Sequence, residues 1–176
     1  MKTRTRIYFP IIIIVIFMIS AFSSCSRADN GKVIGLNQNI HHDDFEYAVT
    51  SFEKTRLIVA GSDTIKASGN FYLVHFRVIN KALRVNHQWD NLIAYIVDEN
   101  GNNFKNIIDY QVFLEKGSPF GWKKMYNTPH GQTDTTILVF DVPVNIVQPF
   151  LMVRGEILMG DMFEAGKFLR TKVKLF

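Results

Sequence analysis

Phe71-Tyr72-Leu73-Val74-His75-Phe76-Arg77-Val78-Ile79-Asn80 is the stretch that decides the fold. Tyr72, Val74, Phe76 and Val78 occupy every second position and are all large and apolar, whereas Leu73, His75, Arg77 and Ile79 are mixed. A period of two sends alternate side chains to opposite faces of an extended chain, so this segment reads as a strand with one face on a core.

The same period recurs on both sides of it. Phe45, Tyr47 and Val49 alternate with Glu46, Ala48 and Thr50, and Arg56 to Ala60 forms a shorter run before Gly61-Ser62-Asp63. Thr171, Val173 and Leu175 alternate with Arg170, Lys172 and Lys174, which puts three cations on a solvent face. Leu92 to Val97 is apolar on both faces and reads as a central strand. It runs through Asp98-Glu99-Asn100-Gly101 toward Phe104, and Asn-Gly tolerates the positive φ of a type I′ hairpin turn. Thr135 to Val142 and Phe150 to Leu158 give two further strands, with Pro143 and Pro149 bracketing the link, where neither has to donate a ladder hydrogen bond. One segment departs from this period. Ile107, Ile108, Tyr110, Phe113 and Leu114 have helical spacing, Asn106 with Asp109 resembles a capping box, and Gly117 is placed to end the turn. Seven or more short strands with one short helix predict an all-β chain folded as a two-sheet antiparallel sandwich, since a parallel sheet needs a helix between successive strands.

The strand that closes in Asn80, the Asp-x-Asn-Gly turn within Leu92 to Phe104, the Phe140-Asp141-Val142-Pro143 strand end and Gly131 ahead of it together resemble a known group. They are similar to the immunoglobulin-like domains of uncharacterised bacterial lipoproteins, a group related to the mycobacterial immunoprotective secreted antigen. The resemblance covers roughly Asp44 to Phe176 and implies an immunoglobulin-like sandwich at a surface location, with no catalytic residues to carry over. The segment between Phe104 and Gly131 lies outside the pattern.

At 176 residues and 47% hydrophobic content the chain is long enough for a core and too apolar to be disordered throughout. Its formal charge is +4, yet Lys2, Arg4 and Arg6 stand ahead of the first apolar run; without those three, the 20 cations fall to 17 against 16 acids. A nucleic-acid footprint is therefore not expected. Met1 to Arg6 is cationic, Ile7 to Phe22 is almost wholly apolar, and Ser23-Ser24 precede the single cysteine, Cys25: the order of a secretory signal. Read as a span, that apolar run would reach about 24 Å at ~1.5 Å per residue, short of a ~30 Å hydrocarbon layer. Phe22-Ser23-Ser24-Cys25 resembles the lipobox of bacterial lipoproteins, with Phe22 in place of the usual leucine. That resemblance implies cleavage before Cys25, acylation of its thiol and new amino terminus, and residence on a bacterial envelope membrane; Ser26 rather than Asp after the cysteine points to the outer membrane. Several acyl chains are needed because one binds a bilayer only marginally. With Cys25 modified the folded part has no thiol, and stability comes from packing alone.

The expected organisation is a signal peptide over 1–24, a lipidated cysteine and flexible tether over 25–42, and a sandwich over 43–176. Within the polar, Asn-rich tether, Val33 to Leu36 has the composition of a short edge strand.

The chain has no phosphate loop of the Gly-x-x-x-x-Gly-Lys type, no Gly-x-Ser-x-Gly elbow, no His-Glu-x-x-His and no pair of cysteines for zinc, so no cofactor, metal or catalytic residue is assigned. His41-His42-Asp43-Asp44 is the densest ionisable cluster, and a metal-dependent envelope enzyme built on it is the alternative to a non-catalytic module. On a strand only alternate members of that cluster share a face, and the plain reading is a solvated lead-in to the first core strand. Asp98 to Asn103 superficially matches a calcium loop, but Gly101 stands fourth where glycine is needed sixth. Glu115 to Thr133 combines helix- and strand-breaking Gly and Pro with Phe120, Trp122, Lys123, Lys124, Met125 and Tyr126. Long connections are unusual unless functional, and Trp, Tyr and Met favour interface centres. Phe120, Trp122, Lys123, Lys124 and Tyr126 are therefore the candidate contact surface for an envelope protein or glycan, the alternative being that the aromatics cap an open end of the sandwich. His75 and Arg77 would join Lys172 and Lys174 in a cationic stripe if their strands were neighbours. The expected role is a lipid-anchored binding or accessory module.

Overall fold

The computed structural model describes residues 31–90, 92–115, 125–154 and 170–176. Its elements in chain order are β1 (Val33–Ile34), β2 (Ile40–His42), β3 (Phe45–Ala60), β4 (Asp63–Asn80), β5 (His87–Asp90), β6 (Ala94–Val97), β7 (Asn103–Lys105), α1 (Ile108–Glu115), β8 (Met125–Thr128), β9 (Thr133–Val142), β10 (Phe150–Arg154) and β11 (Arg170–Lys174). One sheet has five strands in the order β1-β11-β10-β6-β7, and a second has four in the order β2-β3-β4-β9. β5 and β8 form a separate ribbon. Apart from β1, which pairs parallel to β11, every pairing is antiparallel. Among the described residues the chain forms the expected all-β, immunoglobulin-like antiparallel β-sandwich with one short helix.

The alternation in the decisive strand sorts its residues as anticipated. Tyr72, Val74, Phe76 and Val78 are fully buried, and with Tyr47, Leu138 and Phe140 they make an aromatic-rich inner face. Opposite it stand the smaller Ala94, Ile96, Leu151, Val153 and Val173 of the five-stranded sheet. Bulky rings on one side and compact aliphatics on the other share one buried core.

Several expectations are corrected. Arg56 to Ala60 is not a separate strand: β3 runs unbroken from Phe45 to Ala60, and register shifts at Val49/Ser51 and Thr55/Leu57 interrupt the alternation without ending the pairing with β4. The tether reading fails for its last ten residues. Val33–Ile34 is indeed an edge strand, but Ile40–His42 pairs with β3 and Ile40 is wholly buried, so the folded body starts ahead of residue 43. The turn after β6 is not type I′, because Asn100 does not take a positive φ while Gly101 does (φ 82). Gly101 N–H donates to the Asp98 carbonyl at 3.2 Å, which makes a type I turn closed by a left-handed glycine. The helix forms as α1, but Asn106 does not act in a capping box. Its Oδ1 accepts from Val139 N–H at 2.7 Å and its Nδ2 donates to Gln111 Oε1 at 2.7 Å, lashing the helix start to β9. Tyr110, Phe113 and Leu114 then lie on Ile58, Phe71, Leu73 and Val139, so α1 covers part of the outer face of the four-stranded sheet. Gly117 lies outside the described residues.

Gly69 marks where β4 meets β9. A Cβ there would collide with the Val142 carbonyl and the Pro143 Cα, and the Ser68 and Gly69 N–H groups instead donate to the Asp141 carboxylate at 2.7 and 2.9 Å. Asn80, at the other end of β4, is wholly buried. Its Nδ2 donates to the carbonyls of Val85 (2.8 Å) and Thr128 (2.9 Å), and its Oδ1 accepts from Ala82 N–H (2.9 Å). One side chain thus ties the β4–β5 loop to the β5–β8 ribbon. Asn80→Ala strands two buried backbone groups and a part-buried one and is expected to lower stability by about 2 kcal/mol or more, read as a fall in the urea midpoint at unchanged slope.

Candidate functional site

Of the residues singled out in the sequence, Cys25, Phe120, Trp122, Lys123 and Lys124 lie outside the described residues. Tyr126 is described, and it is not a surface contact. It is 5% exposed, its ring stacks on Trp89 at 4.0 Å, and its hydroxyl hydrogen-bonds to Thr136 Oγ1 (2.8 Å) and accepts from Gln111 Nε2 (3.3 Å). Trp89 Nε1 in turn donates to Thr128 Oγ1 at 2.9 Å. Among the described residues, the aromatic pair that closes this flank of the sandwich is therefore Trp89 with Tyr126, across the β5–β8 ribbon.

The His41 to Asp44 run divides between environments. His42 is buried and reaches Thr171 Oγ1 at 2.9 Å, bridging one sheet to the other. His41 faces away, with its Nδ1 3.4 Å from Glu46, which also meets Lys81 Nζ at 3.3 Å. Asp43 and Asp44 form the β2–β3 turn, with Asp43 at φ 54. The two histidines cannot face one ion, and among the described residues no group of three or more His, Cys, Asp or Glu is placed to hold a metal. The calcium-like run is likewise committed elsewhere. Asp98 Oδ1 accepts from the N–H groups of Asn100 (2.9 Å) and Asn102 (2.7 Å), and Oδ2 from Asn102 Nδ2 (2.8 Å). Burial raises this carboxyl's pKa, but the bonds from Asn102, Asn100 and Gly101 prevail and hold it below the usual carboxylate range.

The arrangement that stands out is the outer face of the five-stranded sheet. Its strands hold five cations, Lys105, Arg154, Arg170, Lys172 and Lys174, and no Asp or Glu. Strand register brings them together. One row across the sheet reads Val33, Lys172, Met152, Tyr95, Lys105; the next reads Lys174, Phe150, Val97, Asn103; Arg154 sits opposite Arg170. Lys105, Lys172 and Lys174 are exposed, and Tyr95, Phe150 and Met152 are half-buried between them. Lys172 Nζ lies 5.7 Å from the Phe150 ring centre and the Arg154 guanidinium 5.8 Å from that of Tyr95. Lys105, Arg154, Lys172 and Lys174 form no ion pair among the described residues.

The stripe anticipated from His75 and Arg77 does not form, because β4 and β11 lie in different sheets. Lys172 and Lys174 have β10 as their neighbour instead, and the cations that complete the face, Arg154 and Lys105, were not singled out in the sequence. The signal was the acid-free run of Arg170 to Lys174 and of Phe150 to Arg154, but only the pairing shows that they adjoin.

No known family profile matches the chain, and no curated protein matches it in sequence. Solved structures do. The chain is similar to the yjhA protein from Bacillus subtilis at 11% identity and a TM-score of 0.56, over 80% of this chain and 99% of that one. It is similar to MPT63, a secreted protein from Mycobacterium tuberculosis, at 13% identity and a TM-score of 0.52, over 81% and 95% of the two chains. An uncharacterised β-sandwich protein from Clostridium difficile matches at 12% identity with a TM-score of 0.49, over 86% and 98%. At these identities the likeness to the first two shows a shared fold and nothing about activity. Among the described residues no helix is long and apolar enough to cross a membrane.

His87 supplies a pH test of the core. It is wholly buried, stacked on Phe45 at 3.8 Å, and its Nε2 shares a 3.0 Å hydrogen bond with the Tyr47 hydroxyl. Burial pushes its pKa down to about 4. The unfolded chain, with an ordinary histidine value near 6.5, binds this proton first, so the stabilisation is complete above pH ~6.5 and is lost as pH falls toward 4. Wild type is expected to lose on the order of 3 kcal/mol through this group over that window, measured by urea unfolding, and His87→Gln to show a correspondingly shallower pH dependence.

Proposed function

We propose that the chain is a lipid-anchored protein of the bacterial cell envelope, sorted to the outer membrane, whose sandwich is a binding or accessory module rather than a catalyst. The leader supports the anchored part of this reading: cations at Lys2, Arg4 and Arg6, the apolar Ile7 to Phe22, and Cys25 after two serines. The observation that carries the binding part is the outer face of the five-stranded sheet. Soluble antiparallel sheets that only face water intersperse charges of both signs, whereas among the described residues the strands of this sheet bring Lys105, Arg154, Lys172 and Lys174 to one face without an Asp or Glu of their own, and set Tyr95, Phe150 and Met152 among them. Cations over partly sheltered rings form a surface that recognises an extended anionic partner. Against a catalytic role stands the use already made of the polar groups inside: His87 is kept neutral by burial and bonded to the Tyr47 hydroxyl, His42 bridges the sheets to Thr171, and Gln111 and Tyr126 fix α1 and the ribbon.

Labelled palmitate fed to cells expressing the protein is expected to enter the wild-type chain and to be absent from Cys25→Ser, with the wild type recovered in the outer-membrane fraction. A wild-type chain without label, or released to the medium, contradicts the anchored reading.

A further inference from the structure

The anchored reading leaves open what the basic sheet face meets, and the place where the chain joins the body narrows it. β1 is the outermost strand of that same sheet. Gly31 N–H donates to the Arg170 carbonyl at 2.6 Å and Lys172 N–H to the Lys32 carbonyl at 2.8 Å, so the chain arrives from the leader along the cationic edge. Five residues, Ser26 to Asn30, separate Cys25 from Gly31. Fully extended, that length spans at most about 20 Å, only two to three Debye lengths at physiological salt. A bilayer holding the acylated Cys25 is therefore permanently within reach of this face, at high effective concentration.

Resting on the lipid-anchored reading, we propose that the outer face of the five-stranded sheet docks flat on the membrane that holds the anchor, with anionic phospholipid headgroups as its ligand. The chemistry fits a headgroup layer at each position. Lys105, Lys172 and Lys174 supply flexible ammonium groups for phosphate, with alkyl stems lying over apolar surface. Tyr95 and Phe150 place rings at the depth where amphipathic aromatics partition, and Met152 fills the space between them without a polar group to desolvate. The row Val33-Lys172-Met152-Tyr95-Lys105 crosses all five strands and Lys174-Phe150-Val97-Asn103 four of them, so the contact is as broad as the sheet. The other layers follow: the four-stranded sheet lies above, and α1, packed on that sheet's outer face, points away from the bilayer. The membrane is thus given an orientation-fixed body, with the helix side presented to the envelope space.

The test uses the mature acylated protein on phosphatidylcholine vesicles and on vesicles of equal phosphatidylcholine and phosphatidylglycerol. Flotation on the neutral vesicles reads the anchor, and hydroxyl-radical oxidation of Met152 and Tyr95 reads the face. On anionic vesicles oxidation of Met152 is expected to slow roughly tenfold, with the protection removed by high salt. Lys172→Glu with Lys174→Glu is expected to abolish the protection while the protein still floats, and Lys105→Glu, at the exposed end of the same row, to weaken it. Buried Tyr126 oxidises slowly throughout and verifies the fold. Equal oxidation of Met152 on both vesicle types, with the protein afloat, overturns the docking; failure to float on neutral vesicles overturns the anchor instead.

Discussion

Everything in this molecule depends on one packing relation: the ring-rich inner face of the four-stranded sheet against the compact aliphatic face of the five-stranded sheet. Tyr47, Tyr72, Phe76 and Phe140 press on Ile96, Leu151, Val153 and Val173, all buried. Full burial of such side chains stabilises by about 1.5–3 kcal/mol each, and with a single cysteine in the chain no disulfide within it shares the task. The relation also allocates the remaining surface. Once each sheet has given one face to the core, the four-stranded sheet partly covers its outer face with α1, while the five-stranded sheet leaves its outer face to cations and half-sheltered rings.

Local periodicity carried what was legible in the sequence. The 71–80 strand and the 170–175 alternation are readable because a period of two is written in adjacent residues and neither segment is interrupted. β3 was readable only in pieces, since its two bulges shift the phase and make one strand look like two. Ile40 to His42 looked like tether because its burial is supplied by Tyr47 and Thr171, partners the local composition does not announce. Tyr126 was misplaced for the same reason. An aromatic in a Gly- and Pro-rich stretch has the composition of a contact loop, and only Trp89, with which it pairs across the ribbon, makes it core.

The candidate face was less legible still. Overall charge beyond the leader is nearly balanced, and a balanced total hides segregation: among the described residues the strands of the five-stranded sheet carry cations and no acid, while acids stand on β3, β4, β5, β9, α1 and in turns. Strand order is a non-local property, so Arg154 beside Arg170 and Lys105 in line with Lys172 follow from register alone. Asn80 is the counterexample, a residue whose place at the end of a strand was visible and whose reason, three hydrogen bonds from one buried side chain holding two connections, is structural.

The fold is shared with the yjhA protein from Bacillus subtilis and the secreted MPT63 at little more than a tenth of identical residues, so function has to be sought in the surface. The most direct measurement is neutron reflectometry of the acylated protein on a supported bilayer containing phosphatidylglycerol. The account predicts a thin protein layer in contact with the headgroups, the sheets lying parallel to the membrane. A water-filled gap between headgroups and protein, or a layer as thick as the long β3–β4 hairpin standing upright, contradicts it.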